Sequence, residues 1–317
     1  MSEQKARKIG EVICEQLIEA GKKDPEITVL TSDSRGSGSL NPYVEALPKQ
    51  EVEVGIAEQD LVTISAGLAH SGKRPFAVSP AAFLTMRSIE QVKVDVSYSN
   101  TNVKLIGISG GNSYSVLGAT HHSLQDMAVT RSIPNLEIYM PCDQYQTIGL
   151  FKYLVKSNKP AYIRIGKKAL PDIYSNAEAA FVKPGKANII KKGKDVAIIS
   201  MGETVIEAVK AAEILDKKGI SATVVDLVSL KPLDTDLIKQ LSQKYSDVYT
   251  VEESSIYGGI GGAVAEVIAS QGNSRLHILG FPDEPAIAGT QDEVFGYYGL
   301  NGEGIAKNIL SSLKNTD

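Results

Sequence analysis

The sequence predicts an α/β protein of two domains, each a mostly parallel sheet flanked by helices. Three observations predict it. Short apolar runs alternate with longer runs of helical period, in two successive blocks. The alternation lapses between the blocks, over residues 171–187. The length of 317 residues, 43% hydrophobic and 22% charged, suffices for two separate cores.

The first block opens with a helix, KIGEVICEQLIEAGKK, and a strand, EITVLTSD. A helix AEQDLVTISAGLAHSG, a strand PFAVSP, a periodic stretch FLTMRSIEQVKVDVSYS and a strand VKLIGIS continue it. A strand NLEIYMPC, a helix DQYQTIGLFKYLVKS and a strand AYIRIGKK close it at residue 170. Continuous apolar strands separated by helices indicate parallel pairing with both faces covered. PDIYSNAEAAFVKPGK, with Pro171, Pro184 and Gly185, predicts an exposed linker over 171–187. The second block, residues 188–317, alternates DVAIISMG, ETVIEAVKAAEILDKKG, SATVVDLVS, DTDLIKQLSQKY, DVYTVEES, GGAVAEVIASQG, RLHILGF and GEGIAKNILSSLKN.

A net charge of -4 leaves no basic excess to neutralise phosphates, which argues against nucleic acid or an anionic membrane surface as the main partner. Cys14 and Cys142 are far apart and lack CxxC spacing, so neither a disulfide framework nor a zinc site is indicated. MSEQKARKIG lacks an apolar signal core, and no apolar run approaches the roughly 18 residues that span a bilayer. The expectation is a soluble, cytoplasmic protein.

Three segments invite a chemical reading. In EVGIAEQD, Glu58 stands in the first turn of a helix, where the helix dipole alone would favour a carboxylate. The packed side of that helix, drawn through Leu61, Val62, Ile64, Ser65 and Leu68, also includes Glu58. A carboxyl desolvated there would stay protonated near neutrality and could donate a hydrogen bond to a ring nitrogen. ATHHS places His121 and His122 in a turn entering SLQDMAVTR, with at most one of them facing a site. A helix-entry loop with no catalytic role explains the same residues. YGGIGGAVAE suggests a dinucleotide fingerprint, but the third position of the GxGxxG spacing falls on Val264, so close strand-to-helix packing explains the glycines better. The chain contains no GDG followed by an asparagine, no GxxxxGK[ST] and no HExxH.

Taken together, these segments resemble the pyrimidine-binding and C-terminal domains of the transketolase family, collinearly over nearly the whole chain. VGIAEQDLVTISAGLA resembles the segment with the family's catalytic glutamate, AAFLTMRSIEQ the segment with its ring-stacking phenylalanine, and GATHHSLQD its THQ stretch. VVDLVSLKPLD and TVEESSIYGGIGGAVAEVI resemble its C-terminal domain. The family's N-terminal domain, whose GDG motif holds the diphosphate of thiamine diphosphate through Mg2+, has no counterpart here. The resemblance therefore implies one subunit of a split transketolase, with the cofactor between this chain and an N-terminal transketolase subunit. Paired twofold, that arrangement gives a heterotetramer with two copies of each chain.

The resemblance also implies roles. Glu58 would hydrogen-bond the pyrimidine N1' and promote the tautomer that deprotonates the thiazolium, so that a two-carbon ketol unit passes from a ketose to an aldose. Phe83 would stack on the pyrimidine ring, with Arg87 and Asp33 beside the cofactor. His121 would contact the substrate near its reacting carbons. Ser37 and Lys167 fall where the family grips a sugar phosphate, and Lys167 replaces a bidentate arginine with a point charge that Arg35 could supplement. Leu117 stands in place of a hydroxyl-reading aspartate, and Ser109 in place of a phosphate-binding histidine. These two departures point to an unusual ketose, with a sulfonate as one candidate anionic group. Deoxyxylulose-phosphate synthase and 2-oxoacid dehydrogenase β chemistry, or an inactive regulatory copy of the domain pair, remain alternatives.

Overall fold

The computed structural model describes residues 6–270 and 273–314. The expected helix ends at Gln271–Gly272 and Asn315, and the first five residues of MSEQKARKIG, lie outside the described residues.

Strand β1 (Arg7–Lys8) leads into helix α1 (Ile9–Lys23) and strand β2 (Ile27–Thr31). A short helix α2 (Asn41–Ala46) and strand β3 (Glu51–Glu53) precede α3 (Glu58–His70) and β4 (Arg74–Pro80). Helices α4 (Ala81–Met86) and α5 (Ile89–Gln91) run into a π-helical stretch, Val92–Tyr98, before β5 (Lys104–Ile108). Helix α6 (Asp126–Arg131), β6 (Glu137–Tyr139), α7 (Gln144–Leu154), β7 (Ala161–Arg164) and β8 (Ala169–Leu170) follow. In the second half come β9 (Asn188–Lys191), β10 (Val196–Ser200), α8 (Thr204–Asp216), β11 (Ala222–Asp226), β12 (Ser229–Lys231) and α9 (Thr235–Lys244). Strand β13 (Asp247–Ser255), α10 (Ile260–Ala269), β14 (Arg275–Phe281), α11 (Gln291–Tyr298) and α12 (Gly302–Lys314) complete the described chain.

The first sheet has seven strands in the order β12-β6-β7-β5-β4-β2-β3. All its pairs are parallel except β12 against β6. Strands β2 (ITVLT) and β5 (KLIGI) are buried at every position, as the continuous apolar runs predict for a parallel sheet covered on both faces. The second sheet, β14-β13-β10-β11-β9, is parallel apart from its edge strand β9. One apolar core runs from Leu61, Val62 and Leu105 of the first half to Val225, Val248 and Val264 of the second.

Two contacts join the halves, and two expectations, at FLTMRSIEQVKVDVSYS and at Ile64, are corrected. The two halves share a sheet, because β12, from the second half, pairs with β6. The linker is docked: the Ile173 and Tyr174 N–H groups donate to Asp143, and the Tyr174 hydroxyl donates to buried Asp226 at 2.6 Å. The stretch FLTMRSIEQVKVDVSYS breaks after Met86, where the Ser88 hydroxyl donates back to the Leu84 carbonyl at 2.6 Å. Such back-bonding competes with the helical ladder and bends helices. Ile64, expected on the packed side of α3, is 40% exposed, whereas Glu58 is 5% exposed.

YGGIGGAVAE follows β13 and opens α10, and the helix N-terminus holds the chain's own carboxylate. The Ile260 and Gly261 N–H groups donate to Glu252 at 2.8 and 2.9 Å. A Cβ at Gly259 would lie 1.9 Å from Glu252 Oε2, and one at Gly261 would lie 2.4 Å from Ile278. Burial pushes Glu252 up to about 7. The glycines thus serve packing, and the donors a phosphate would need are already used.

Candidate active site

Parallel α/β sheets build their clefts beyond the carboxyl ends of the strands. Here a cleft of about 260 Å³ lies beyond the ends of adjacent strands of the first sheet. Ser32, Asp33, Ser34 and Ser37 come from the turn after β2, Ile56 from the turn after β3, Glu58 from the start of α3, and Pro80 and Phe83 from the end of β4 and the start of α4. Tyr114, Leu117 and His121 come from the long loop after β5.

Glu53 shapes the first wall. Its carboxylate accepts the Thr31 hydroxyl at 2.7 Å, the Asp33 N–H at 2.7 Å and the Gly55 N–H at 2.9 Å. That grip turns the chain at Asp33, whose φ is 51°, a left-handed conformation that aspartate tolerates through its short polar side chain.

Glu58 enters from the first turn of α3. Arg87, just past the break after α4, donates from Nη1 to both carboxylate oxygens, at 3.1 and 3.2 Å. The same guanidinium lies over the Phe83 ring with its carbon 4.0 Å from the centroid. The carboxyl expected as a neutral donor is therefore in an ion pair within this chain. The desolvation argument placed it rightly among buried side chains but had no means of seeing a cation 29 residues away.

The His121 ring meets the Phe83 ring edge-on, with centroids 5.2 Å apart, and the Tyr114 ring at 5.7 Å. His121 Nδ1 is 2.9 Å from Thr120 Oγ1. Its neighbour His122 is buried with Nε2 3.2 Å from the Ser115 carbonyl oxygen, so the two adjacent histidines do point apart. Lys167 stands after β7 with its Nζ 4.7 Å from the Tyr114 centroid and, among the described residues, no carboxylate partner.

Three residues expected to meet substrate are absent from the lining of the cleft, Lys167 among them. Arg35 is held by Glu51 at 2.6 Å and Glu53 at 3.5 Å, two carboxylates of the neighbouring strand, and does not line the cleft. Ser109 is buried at the end of β5 with φ 52° and is also absent from the lining. Tyr114, Ser32, Ser34 and Ile56 were not singled out from sequence. For Tyr114 a signal existed, as a lone aromatic ring in the Gly- and Ser-rich loop SGGNSYSVLG.

Beneath the loop after β5 lies a buried ionic cluster that the sequence reading missed. Arg164 of β7 donates to Asp126 at 3.1 Å, to the Ser254 hydroxyl at 3.0 Å and to the Glu253 carbonyl, and its Nη2 lies 3.6 Å from Glu253 Oε2. Gln291 donates to Glu253 at 2.8 Å and to Glu203 at 2.6 Å. The signal was present: AYIRIG and TVEES carry charges within fully buried strands. Among the described residues, no group of three or more His, Cys, Asp or Glu side chains could hold a metal ion. No described helix is long and apolar enough to cross a membrane.

Fold and site together define a two-domain α/β chain that presents a carboxylate, an aromatic face and a histidine on the carboxyl edge of its first sheet. The chain belongs to the transketolase family. Residues 5–172 match the family model "Transketolase, pyrimidine binding domain", and residues 185–305 match "Transketolase, C-terminal domain". It is 48% identical over 298 residues to an apulose-4-phosphate transketolase subunit of Phocaeicola vulgatus, covering 94% of this chain and 95% of that one. It is 32% identical to a 6-deoxy-6-sulfo-D-fructose transketolase subunit of Clostridium sp., covering 92% and 90%. A solved structure described as "Split gene transketolase, inactive beta4 tetramer" superposes with a TM-score of 0.87 at 32% identity, covering 97% of this chain and 98% of that one.

Proposed function

We propose that this chain is one subunit of a two-chain transketolase that moves a two-carbon ketol unit from an anionic ketose to an aldose, using thiamine diphosphate held between this chain and a partner subunit. The observation that carries the reading is the juxtaposition of buried Glu58 with the Phe83 ring on one wall of the cleft. A flat aminopyrimidine needs those two features, a carboxyl at its ring nitrogen and an aromatic face beneath it. Thiamine diphosphate supplies the stabilised carbanion on which ketol transfer depends. Glu58 would hydrogen-bond the ring, Phe83 would stack on it and Asp33 would stand at its edge. Arg87 would orient the Glu58 carboxylate and rest against the ring pair.

His121 faces the same cleft and would contact the reacting end of the sugar. Lys167, beside the Tyr114 ring that lines the cleft, would draw the anionic end, with Ser37 of the lining as a second contact. Arg35, held by Glu51 and Glu53, and buried Ser109 would not meet the substrate directly. Leu117 makes the wall apolar where a hydroxyl-reading carboxylate would otherwise stand.

A partner subunit is supported by what the cleft lacks. The chain has no diphosphate-binding motif of its own. Ile56, Val116 and Leu117 stand exposed around the cleft, with 74%, 69% and 50% of their surface uncovered. Mg2+ would be held mainly by the partner, and two copies of each chain form the proposed assembly. The names of the relatives make apulose 4-phosphate the first donor to test and a sulfonated ketose the second. With the assembled complex, Lys167→Ala should raise KM for either anionic donor about tenfold or more, the worth of one charge-assisted contact, with little change in kcat. Release of CO2 from pyruvate in place of ketol transfer would overturn the transketolase reading in favour of deoxyxylulose-phosphate synthase chemistry.

A further inference from the structure

The loop that carries Tyr114, Leu117 and His121 is closed at its base, where the Ser123 N–H donates to the Gly111 carbonyl at 2.7 Å. That base sits on the second domain. The Asn112 N–H donates to Glu253 Oε1 at 2.9 Å, and the Ser255 N–H donates to the Leu124 carbonyl at 2.9 Å. Gly110 and Gly111 press so closely on this support that a Cβ at Gly111 would lie 2.0 Å from Arg164 and 2.4 Å from the Glu253 carboxyl carbon.

Two buried carboxyl groups, Asp126 and Glu253, pair with one buried guanidinium, Arg164, and a third, Glu203, lies beyond Glu253 without a contact to that guanidinium. Gln291 of α11 bridges Glu203 and Glu253 with a single amide nitrogen. Among the described residues Glu203 Oε1 has no hydrogen-bond partner, and it packs against Gly166, where a Cβ would meet it at 1.4 Å. Lys168, the remaining nearby cation, is taken by Asp292 at 2.6 Å. Arg164 and Lys168 therefore offset a second negative charge beside Glu253 only in part.

We propose that Glu203 and Glu253, bridged by Gln291, form a proton-gated clamp of the second domain on the loop bearing His121, closed while Glu203 is neutral and loosened when both carboxyl groups are charged. Burial, with the Glu253 charge second, pushes Glu203 up to about 8, while Gln291, Lys168 and Arg164 pull it down. Glu253 is also raised by burial and faces Arg164, Asn112, Gln291 and Asp126. As pH rises through the Glu203 titration, repulsion strains the Gln291 bridge and weakens the hold of Glu253 on Asn112. Both residues are positioning residues, since neither lines the cleft.

The test is hydrogen exchange of the loop 109–123 in the purified full chain, corrected for the intrinsic dependence on pH. The clamp predicts that exchange is at least about fivefold faster at about pH 9 than at about pH 6.5. Glu203→Gln, neutral at all pH values, should abolish that difference. Wild-type protection that does not change with pH would overturn the proposal whether or not the variant folds, and so would a Glu203→Gln profile that still loosens. The link to substrate rests on the ketol-transferase reading and has its own readout. In the assembled enzyme KM should rise over the same pH window, more than kcat falls, and Glu203→Gln should flatten that rise. If exchange follows the prediction but no ketol transfer occurs with any partner, the functional reading fails and the clamp stands.

Discussion

At Glu58 two physical demands meet. A carboxylate 5% exposed needs a partner, and Arg87 supplies one while resting on the Phe83 ring. Arg87 is half exposed, so its pairing alone contributes little to stability and its worth lies in orientation. Arg87→Ala should leave folding intact and raise the thiamine diphosphate concentration for half-saturation of the assembled complex by about three- to tenfold, the scale of an exposed cation–π contact with an orienting hydrogen bond. An unchanged half-saturation would remove Arg87 from the site. The resemblance named both residues, and the arithmetic of helix faces put Glu58 on a packed side. Neither showed the pair, because Glu58 opens α3 and Arg87 follows α4, with β4 between the two helices.

At the scale of elements, the helices and central strands were legible wherever the period was continuous. Strand β2 and helix α3 are where EITVLTSD and AEQDLVTISAGLAHSG place them. The short elements were not. Strand β3 is three residues long and gives no period, yet Glu51 and Glu53 on it hold Arg35 and the turn at Asp33. Helix α11 falls between stronger patterns, yet Gln291 on it joins Glu203 to Glu253. Strand β12 pairs across the two halves, a choice set by tertiary contact that no local pattern records. The Gly- and Ser-rich composition of the loop after β5 was legible, whereas its support by the second domain was not. Gly111→Ala tests that support. With φ at 60° and Arg164 2.0 Å from the new Cβ, it should destabilise the chain by about 2 kcal/mol or more in denaturant unfolding. A loss below about 0.5 kcal/mol, the level of an ordinary surface change, would mean the loop base is free to move.

For the whole molecule, buried acids tie stability to pH. Burial raises Glu203 to about 8, Glu252 to about 7 and Asp226 to about 6. An unfolded chain releases these protons at ordinary carboxylate values near 4, so between about pH 4 and about pH 8 the folded state binds more protons than the unfolded one. These groups therefore stabilise the fold most at the acid end of that window and lose that contribution as pH rises through their folded values. Thermal unfolding should show Tm of Glu203→Gln falling less steeply than wild type between about pH 6 and about pH 9. Parallel curves would contradict the assignment.

The most direct measurement is ketol transfer by this chain, by a GDG-bearing partner chain and by their mixture, each with thiamine diphosphate, Mg2+, apulose 4-phosphate and an aldose acceptor. The account predicts no turnover by either chain alone, turnover by the mixture, and a loss of about 10²-fold or more with Glu58→Ala. Turnover by this chain alone, or a Glu58→Ala mixture as active as wild type, would contradict it.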